Sequence, residues 1–211
     1  MEQTRQKLSV VIPIYNEEKN IPELFARLRR ALETLGQAYE VIAVDDGSKD
    51  NSYKALQKEA KSGSKVRLVR FKRNFGQTAA LAAGIERAEG NVIVTIDSDL
   101  ENDPADISRL LEKMREGYDV VSGWRQGRWE GSWLTRKFPS LVANKMISVL
   151  TGVYLHDYGC TLKAYRADII KGVNLYGEMH RFIPAYAVWQ GGRVTEIPVS
   201  HTPRVHGKSN Y

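Results

Sequence analysis

NVIVTIDSDLENDPAD, residues Asn91 to Asp106, is the stretch whose reading decides the fold. Val92 to Ile96 are apolar or β-branched, and so short a run reads as a strand buried on both faces, as in a parallel sheet. It ends in Asp97-Ser98-Asp99, with Glu101 and Asp103 just beyond. Asp103 reads as an N-cap and Pro104 as the first helical residue. Ile107, Leu110, Leu111 and Met114 follow at helical spacing, and Gly117 closes the helix. Several carboxylates are therefore expected where a buried strand leaves the sheet, the edge at which open α/β sheets bind ligands. Crowded carboxylates repel one another unless a cation holds them together. Hard divalent cations such as Mg²⁺ take oxygen ligands from carboxylates and from substrate phosphates. An isolated Asp-x-Asp would read as a solvated acidic loop. The strand before it and the capped helix after it favour the metal-binding reading.

Outward from that stretch the same alternation repeats. Leu8 to Ile14 reads as a buried strand, followed by a helix from about Asn20 with Leu24, Phe25, Leu28 and Leu32 on one face and Gly36 at its end. Tyr39 to Val44 is a second strand running into Asp45-Asp46-Gly47-Ser48. Asp50 or Ser52 caps the next helix, which runs to about Lys61. Val66 to Phe71 is a third strand, and after Lys72 to Gly76 an Ala-rich helix spans Thr78 to Glu89. Asp119 to Gly123 is a further short strand. This order predicts an α/β fold with a mostly parallel sheet and helices on both faces. Beyond Gly123 the regularity fails. Trp124 to Lys137 interleaves tryptophans with basic residues, Leu141 to Leu150 and Glu178 to Trp189 read as helices, and His156 to Arg166 reads as loop followed by extended chain. Arg193 to Val199 reads as a late strand, with Pro198 pointing to a sheet edge.

The chain has 211 residues and shows no repeat, low-complexity segment or linker, so residues 1–211 read as one domain. A net charge of +6 calls for an anionic partner: nucleic acid, nucleotide, phospholipid surface or phosphorylated substrate. Cys160 is the single cysteine, which excludes an intrachain disulfide. The N-terminus is polar, and Pro13 breaks the apolar run after it, so no signal peptide is read. No stretch approaches the roughly 20 apolar residues of a membrane span. The sequence stops at Tyr211 without a terminating element, as a fragment of a longer protein would.

In a parallel sheet the two acidic strand ends, Asp45-Asp46 and Asp97-Ser98-Asp99, share one edge. One group can hold a metal while the other accepts hydrogen bonds from ribose hydroxyls or base N–H groups; an ordinary Asp/Gly turn is the competing reading of the first. No Walker loop or Gly-x-Gly-x-x-Gly is present, and Gly207-Lys208-Ser209 lacks the strand context of a phosphate loop. No Cys/His cluster points to zinc, and no His partners Ser48, Ser98 or Cys160 in any recognisable spacing. Arg125 and Arg136 are read as phosphate contacts, whereas the tryptophans beside them are read as folding back onto the core. His180-Arg181 can be read as a surface pair.

These residues resemble a known family. Val11-Ile12-Pro13-Ile14-Tyr15-Asn16-Glu17, Val44 to Ser48, Arg73 to Gly76 and Asp97 to Glu101 occur in the order seen in inverting glycosyltransferases of family 2, which have the GT-A fold. Gly177 to Pro184 and Arg204-x-x-Gly207-x-Ser209 look like the polyprenyl-phosphate branch, with dolichol-phosphate mannose synthase and bacterial undecaprenyl-phosphate glycosyltransferases. The resemblance implies that Pro13, Tyr15, Glu17, Asp45 and Asp46 bind the nucleoside. It implies that Asp97, Asp99 and Glu101 hold Mg²⁺ or Mn²⁺ and the diphosphate, and that Arg125, Arg136, Arg204 and Lys208 meet phosphates, with Asp97, Asp99, Arg125 and Arg136 serving catalysis. Two departures stand out: many relatives carry Gln at the place of Glu101, and a Lys where Asn210 stands, for which Lys208 would substitute. Many relatives also continue into amphipathic and transmembrane helices, which are absent from this chain.

The implied activity is inverting transfer of a hexose from a nucleotide-diphosphate sugar donor to a polyprenyl phosphate (dolichyl or undecaprenyl). The implied place is the cytoplasmic, inner face of a membrane, with the membrane surface as a partner, no nucleic acid, and room for a homo-oligomer. A family 2 enzyme acting on a saccharide hydroxyl is the alternative, which would need an acidic residue of raised pKa as base. A non-catalytic nucleotide- or RNA-binding module is the alternative of another class.

Overall fold

The computed structural model describes residues 7–62, 65–126, 147–149 and 151–203. Its first half follows the expected alternation: β1 Leu8–Ile14, α1 Ile21–Thr34, β2 Tyr39–Asp45, α2 Ser52–Ser62, β3 Val66–Arg70, α3 Gln77–Arg87, β4 Val92–Thr95, α4 Ile107–Arg115 and β5 Val120–Arg125. Then come β6 Lys163–Arg166 and β7 Val194–Val199. The strands form one sheet in the order β3-β2-β1-β4-β6-β5-β7. The first four neighbours are parallel, as are β5 and β7, while β6 runs antiparallel to both β4 and β5.

Every residue of β1 is buried, and its side chains serve both faces of the sheet. Leu8, Val10, Ile12 and Ile14 join Leu24, Leu28 and Leu32 of α1, Leu56 of α2 and Leu110 of α4 in one core. Val11 points the other way, into a second core with Ala80, Leu81 and Ile85 of α3 and with Ile183 and Ala187. Covered on both faces, β1, β2 and β4 are mostly apolar, which is why they read as apolar runs; the polar residues they bury, Ser9, Glu40 and Thr95, are hydrogen-bonded. Asp103 caps the turn Pro104–Asp106 by accepting from the Ala105 N–H at 2.9 Å, as its place before Pro104 predicts.

Three expectations need correction. The helix expected over Glu178 to Trp189 is two pieces, a 3₁₀ turn Met179–Phe182 and an α-helix Ile183–Trp189. Pro184 is the reason: without an N–H, and with a ring that clashes with the preceding turn, it can open an α-helix but not continue one. Second, β5 extends to Trp124 and Arg125, so Arg125 closes a strand rather than sitting in the irregular segment. Third, His180 is not part of a surface pair; its ring is half-buried and bonded to Thr78. Pro198 lies on β7 at the end of the strand order, as expected. The helix expected over Leu141 to Leu150 lies mostly outside the described residues. Among the described residues no helix is long and apolar enough to cross a membrane.

Candidate active site

The parallel register fixes the site. Ile14 pairs with Asp45, so β1 and β2 end level, while β4 ends at Thr95 opposite Val11; Tyr15, Asp46 and Asp97 leave the three strands at one edge. Two non-glycine residues there adopt left-handed backbone, Asn16 at φ 55° and the buried Leu100 at φ 64°. Such conformations cost of order 1 kcal/mol or more each and cluster at functional sites. The edge is laced together by short contacts. The Asn16 side chain accepts from the Lys49 N–H (2.8 Å), Ser48 Oγ accepts from the Asn16 N–H (3.0 Å), and the Ser98 hydroxyl donates to the Pro13 carbonyl (3.1 Å).

The two residues of the first acidic pair have different surroundings. Asp46 is fully buried, and its carboxylate accepts from the N–H groups of Phe75 (2.7 Å) and Gly76 (2.9 Å) and from the Asn74 amide (2.9 Å). It thereby holds the turn that opens α3. That turn lies against Gly47, where a Cβ would sit 2.4 Å from the Arg73 carbonyl carbon at a φ of +69°, so only glycine fits. Asp45, also fully buried, accepts from the Ser48 N–H at 3.1 Å, and its other oxygen lies 3.3 Å from the Arg70 guanidinium. Glu17 accepts from the Asn20 amide at 2.6 Å. Tyr15 is half-buried at the same edge, and Pro13 is buried within β1.

The second acidic group is more crowded. Asp97 accepts from the Gln77 amide and from the Thr161 hydroxyl, both at 2.6 Å. Burial first, then the neighbouring Asp99 carboxylate, push the Asp97 carboxyl up to about 6. Asp99 is buried and accepts from the Glu101 N–H at 3.0 Å, which folds the acidic loop into an Asx-type turn. Among the described residues no three His, Cys, Asp or Glu side chains converge closely enough to hold a metal by themselves. Facing this group, Arg125 is gripped in fork fashion by Asp157 (2.7 and 3.0 Å) and lies 3.6 Å from Glu101. Burial opposes the guanidinium's charge, but the hydrogen bonds and charge of Asp157 outweigh it, and the Arg125 pKa is raised. Trp124, one residue earlier, stacks on the His156 ring at 4.2 Å, so the Trp124-Arg125 pair is matched by His156-Asp157.

Of the residues expected to form the site, Tyr15, Glu17, Asp45, Asp46, Asp97, Asp99, Glu101 and Arg125 lie along this edge or just past it. Arg136, Arg204 and Lys208 lie outside the described residues. The chain leading to the last two is brought to the acidic loop: His201 bridges to Asn102, and the Thr202 N–H donates to the Glu101 carbonyl at 3.0 Å. The sequence reading missed Gln77, Asp157, Thr161, Lys163 and the Thr78–His180 pair. His180 bonds Thr78 through Nδ1 at 2.6 Å. Burial, then the charges of Lys163 and Arg181, lower its pKa to about 4, so the imidazole is neutral at pH 7. The signal for Asp157 and Thr161 was their closeness to the extended segment ending at Arg166, but only the reversed strand brings them to this edge.

Open α/β sheets bind their ligands at this carboxyl edge. The profile of glycosyl transferase family 2 matches residues 9–173, and the chain belongs to that family. Among curated relatives, it is 47% identical to dodecaprenyl-phosphate galacturonate synthase of Rhizobium johnstonii, a match covering 97% of this chain and 62% of that protein. It is 44% identical to undecaprenyl-phosphate 4-deoxy-4-formamido-L-arabinose transferase of Pseudomonas paraeruginosa, covering 97% and 60%. The chain thus spans about three fifths of the length of these relatives. Among solved structures, glucosyl-3-phosphoglycerate synthase from Mycobacterium tuberculosis, in complex with Mn²⁺, uridine diphosphate and phosphoglyceric acid, superposes with a TM-score of 0.76 at 17% identity, covering 96% of this chain and 72% of that one. Mannosyltransferase PcManGT from Pyrobaculum calidifontis gives 0.70 at 18% identity, covering 98% and 59%. At that identity the likeness establishes the fold.

Proposed function

We propose that this chain is the catalytic part of a glycosyltransferase that moves a sugar, with inversion, from a nucleoside-diphosphate sugar to a polyprenyl phosphate at the cytoplasmic face of a membrane. The observation that carries this is the juxtaposition of Asp97, Asp99 and Glu101 with the clamped Arg125 at the carboxyl edge. Both relatives named above are polyprenyl-phosphate sugar transferases or synthases, one of galacturonate and one of a formamido-arabinose. They support the acceptor class and widen the sugar beyond the simple hexose expected.

The acidic loop fits Mg²⁺ or Mn²⁺. Burial and the neighbouring Asp99 charge raise the Asp97 pKa, a repulsion that a divalent cation relieves, and the donors are all hard oxygens. Asp97, Asp99 and Glu101 do not converge on a point by themselves, so they would hold the ion together with oxygens of the donor diphosphate. When bound, it neutralises the leaving diphosphate. Asp45, Asp46, Glu17, Tyr15 and Pro13 frame the nucleoside, Asp46 by fixing the turn at Phe75 and Gly76. Arg125, with Arg136, Arg204 and Lys208, offsets the charge of two anionic substrates. A phosphate monoester, with a second pKa of about 6, is already a dianion at neutral pH and needs no strong base.

The saccharide-hydroxyl reading finds one observation in its favour, the raised pKa of Asp97, which a general base would share. A direct assay separates the two. Nucleotide sugars are incubated with a short-chain polyprenyl phosphate or with saccharides, in Mg²⁺, in Mn²⁺ and in excess chelator. The expected product is a lipid-linked sugar formed only with metal. Sugar found only on saccharide, or full activity in chelator, would reject the proposal. A second expectation concerns the donor. Asp46→Ala frees the Asn74–Gly76 turn, so KM for the nucleotide sugar rises about tenfold while kcat changes little, the pattern of a contact shared by ground and transition states. A fall in kcat at unchanged KM would place Asp46 in the chemistry instead.

A further inference from the structure

Lys163 opens β6 in the middle of the sheet, paired with Thr95 of β4 on one side and Ser122 of β5 on the other. Its side chain is 2% exposed. A buried ammonium is costly unless it is paired, yet among the described residues Lys163 forms no ion pair. It donates instead to two backbone carbonyls, those of Tyr158 (3.1 Å) and Cys160. Burial lowers its pKa, opposed by the nearby charges of Asp157 and Asp97. For packing alone an apolar side chain would serve as well or better.

The turn whose carbonyls it gathers has a double duty. At one end Asp157 grips Arg125. At the other, the Thr161 hydroxyl donates to Asp97 at 2.6 Å, and the Thr161 carbonyl accepts from Thr95 at 2.6 Å. Residues 157–161 thus link the guanidinium to the acidic group, and the two carbonyls held by Lys163 lie between those two contacts.

We infer that Lys163 is a positioning residue: by drawing the Tyr158 and Cys160 carbonyls together it sets the spacing between Arg125 and Asp97, and so the placement of cationic and anionic groups around the donor diphosphate. The inference rests on the transferase reading for its catalytic consequence and on the turn geometry for the rest. It deepens that reading by adding a residue that acts through the 157–161 turn.

The test uses Lys163→Met, Thr161→Val and the double variant in the otherwise intact chain, with two readouts. In amide hydrogen exchange, Lys163→Met should speed exchange in residues 157–162 about tenfold or more, with β1 and β2 unchanged. In the transferase assay, kcat should fall about tenfold or more with donor KM within about threefold, and the double variant should lose no more than the worse single one. If Lys163→Met does not fold, Lys163→Gln, which keeps one donor and drops the charge, takes its place in both readouts. Unchanged exchange in the turn, losses that multiply in the double variant, or a lower thermal midpoint with turnover per folded molecule preserved would each overturn the inference. A wild-type chain that transfers no sugar would sink the functional proposal alone, since the exchange result still decides the role of Lys163.

Discussion

Asp99→Ala is expected to abolish sugar transfer and to leave the fold intact. Asp99 is buried, but it packs no core. Its one oxygen bonds the Glu101 N–H, and its charge raises the pKa of Asp97. Removing it relieves like-charge repulsion, so the thermal midpoint should hold or rise. The acidic loop, however, loses a charged oxygen on which the diphosphate's counter-ion depends. A loss of about a thousandfold in kcat, on the order of 4 kcal/mol of transition-state stabilisation, is the expected scale for removing such an electrostatic group. Initial rates at saturating Mg²⁺ or Mn²⁺, beside a melting curve, decide it. Near-normal turnover would remove Asp99 from the metal site.

Arg125→Met should be as damaging to activity and far more damaging to stability. The Arg125 side chain is 3% exposed, and it answers both Asp157 and Glu101. Replacing it takes the bidentate guanidinium away from the half-buried Asp157 and breaks an ion pair whose arginine is buried, a change that typically costs about 3–5 kcal/mol. Urea midpoints should therefore drop sharply. The double variant Arg125→Met/Asp157→Leu, which removes both charges, should recover most of that stability and none of the transfer. Two results would contradict this account: a single variant as stable as wild type, or an active double variant.

The parts of this molecule set by local chemistry were legible in the sequence. β1 was bounded correctly because a short, mostly apolar and β-branched run closed by Tyr15-Asn16 reads as a buried strand, and Asp103-Pro104 marked a helix start by capping chemistry alone. The acidic edge followed from parallel strands, without any contact being known. What escaped was set by distant pairing. Lys163-Ala164-Tyr165-Arg166 carries no period that distinguishes a central strand from a loop, and its reversed direction depends on the edges β4 and β5 offer. Since β6 places Asp157 and Thr161, the partners of Arg125 and Asp97 were hidden with it. Gln77 was read as the residue before a helix, where its reach to Asp97 across 20 residues leaves no local trace.

The reversed central strand also constrains how the chain comes together during synthesis. β5 is complete at Arg125, yet both of its sheet neighbours, β6 and β7, are made later. Until residue 166 has emerged, β4 offers an open edge and β5 has nothing to pair with. A nascent chain can assemble β3-β2-β1-β4 early, but the two ends of the sheet join only when a strand about 40 residues further on is inserted between them. Closing so long a loop is slow, and waiting edges invite pairing with other chains. Destabilising changes in β6 should therefore reduce the yield of folded protein before they show in its melting temperature.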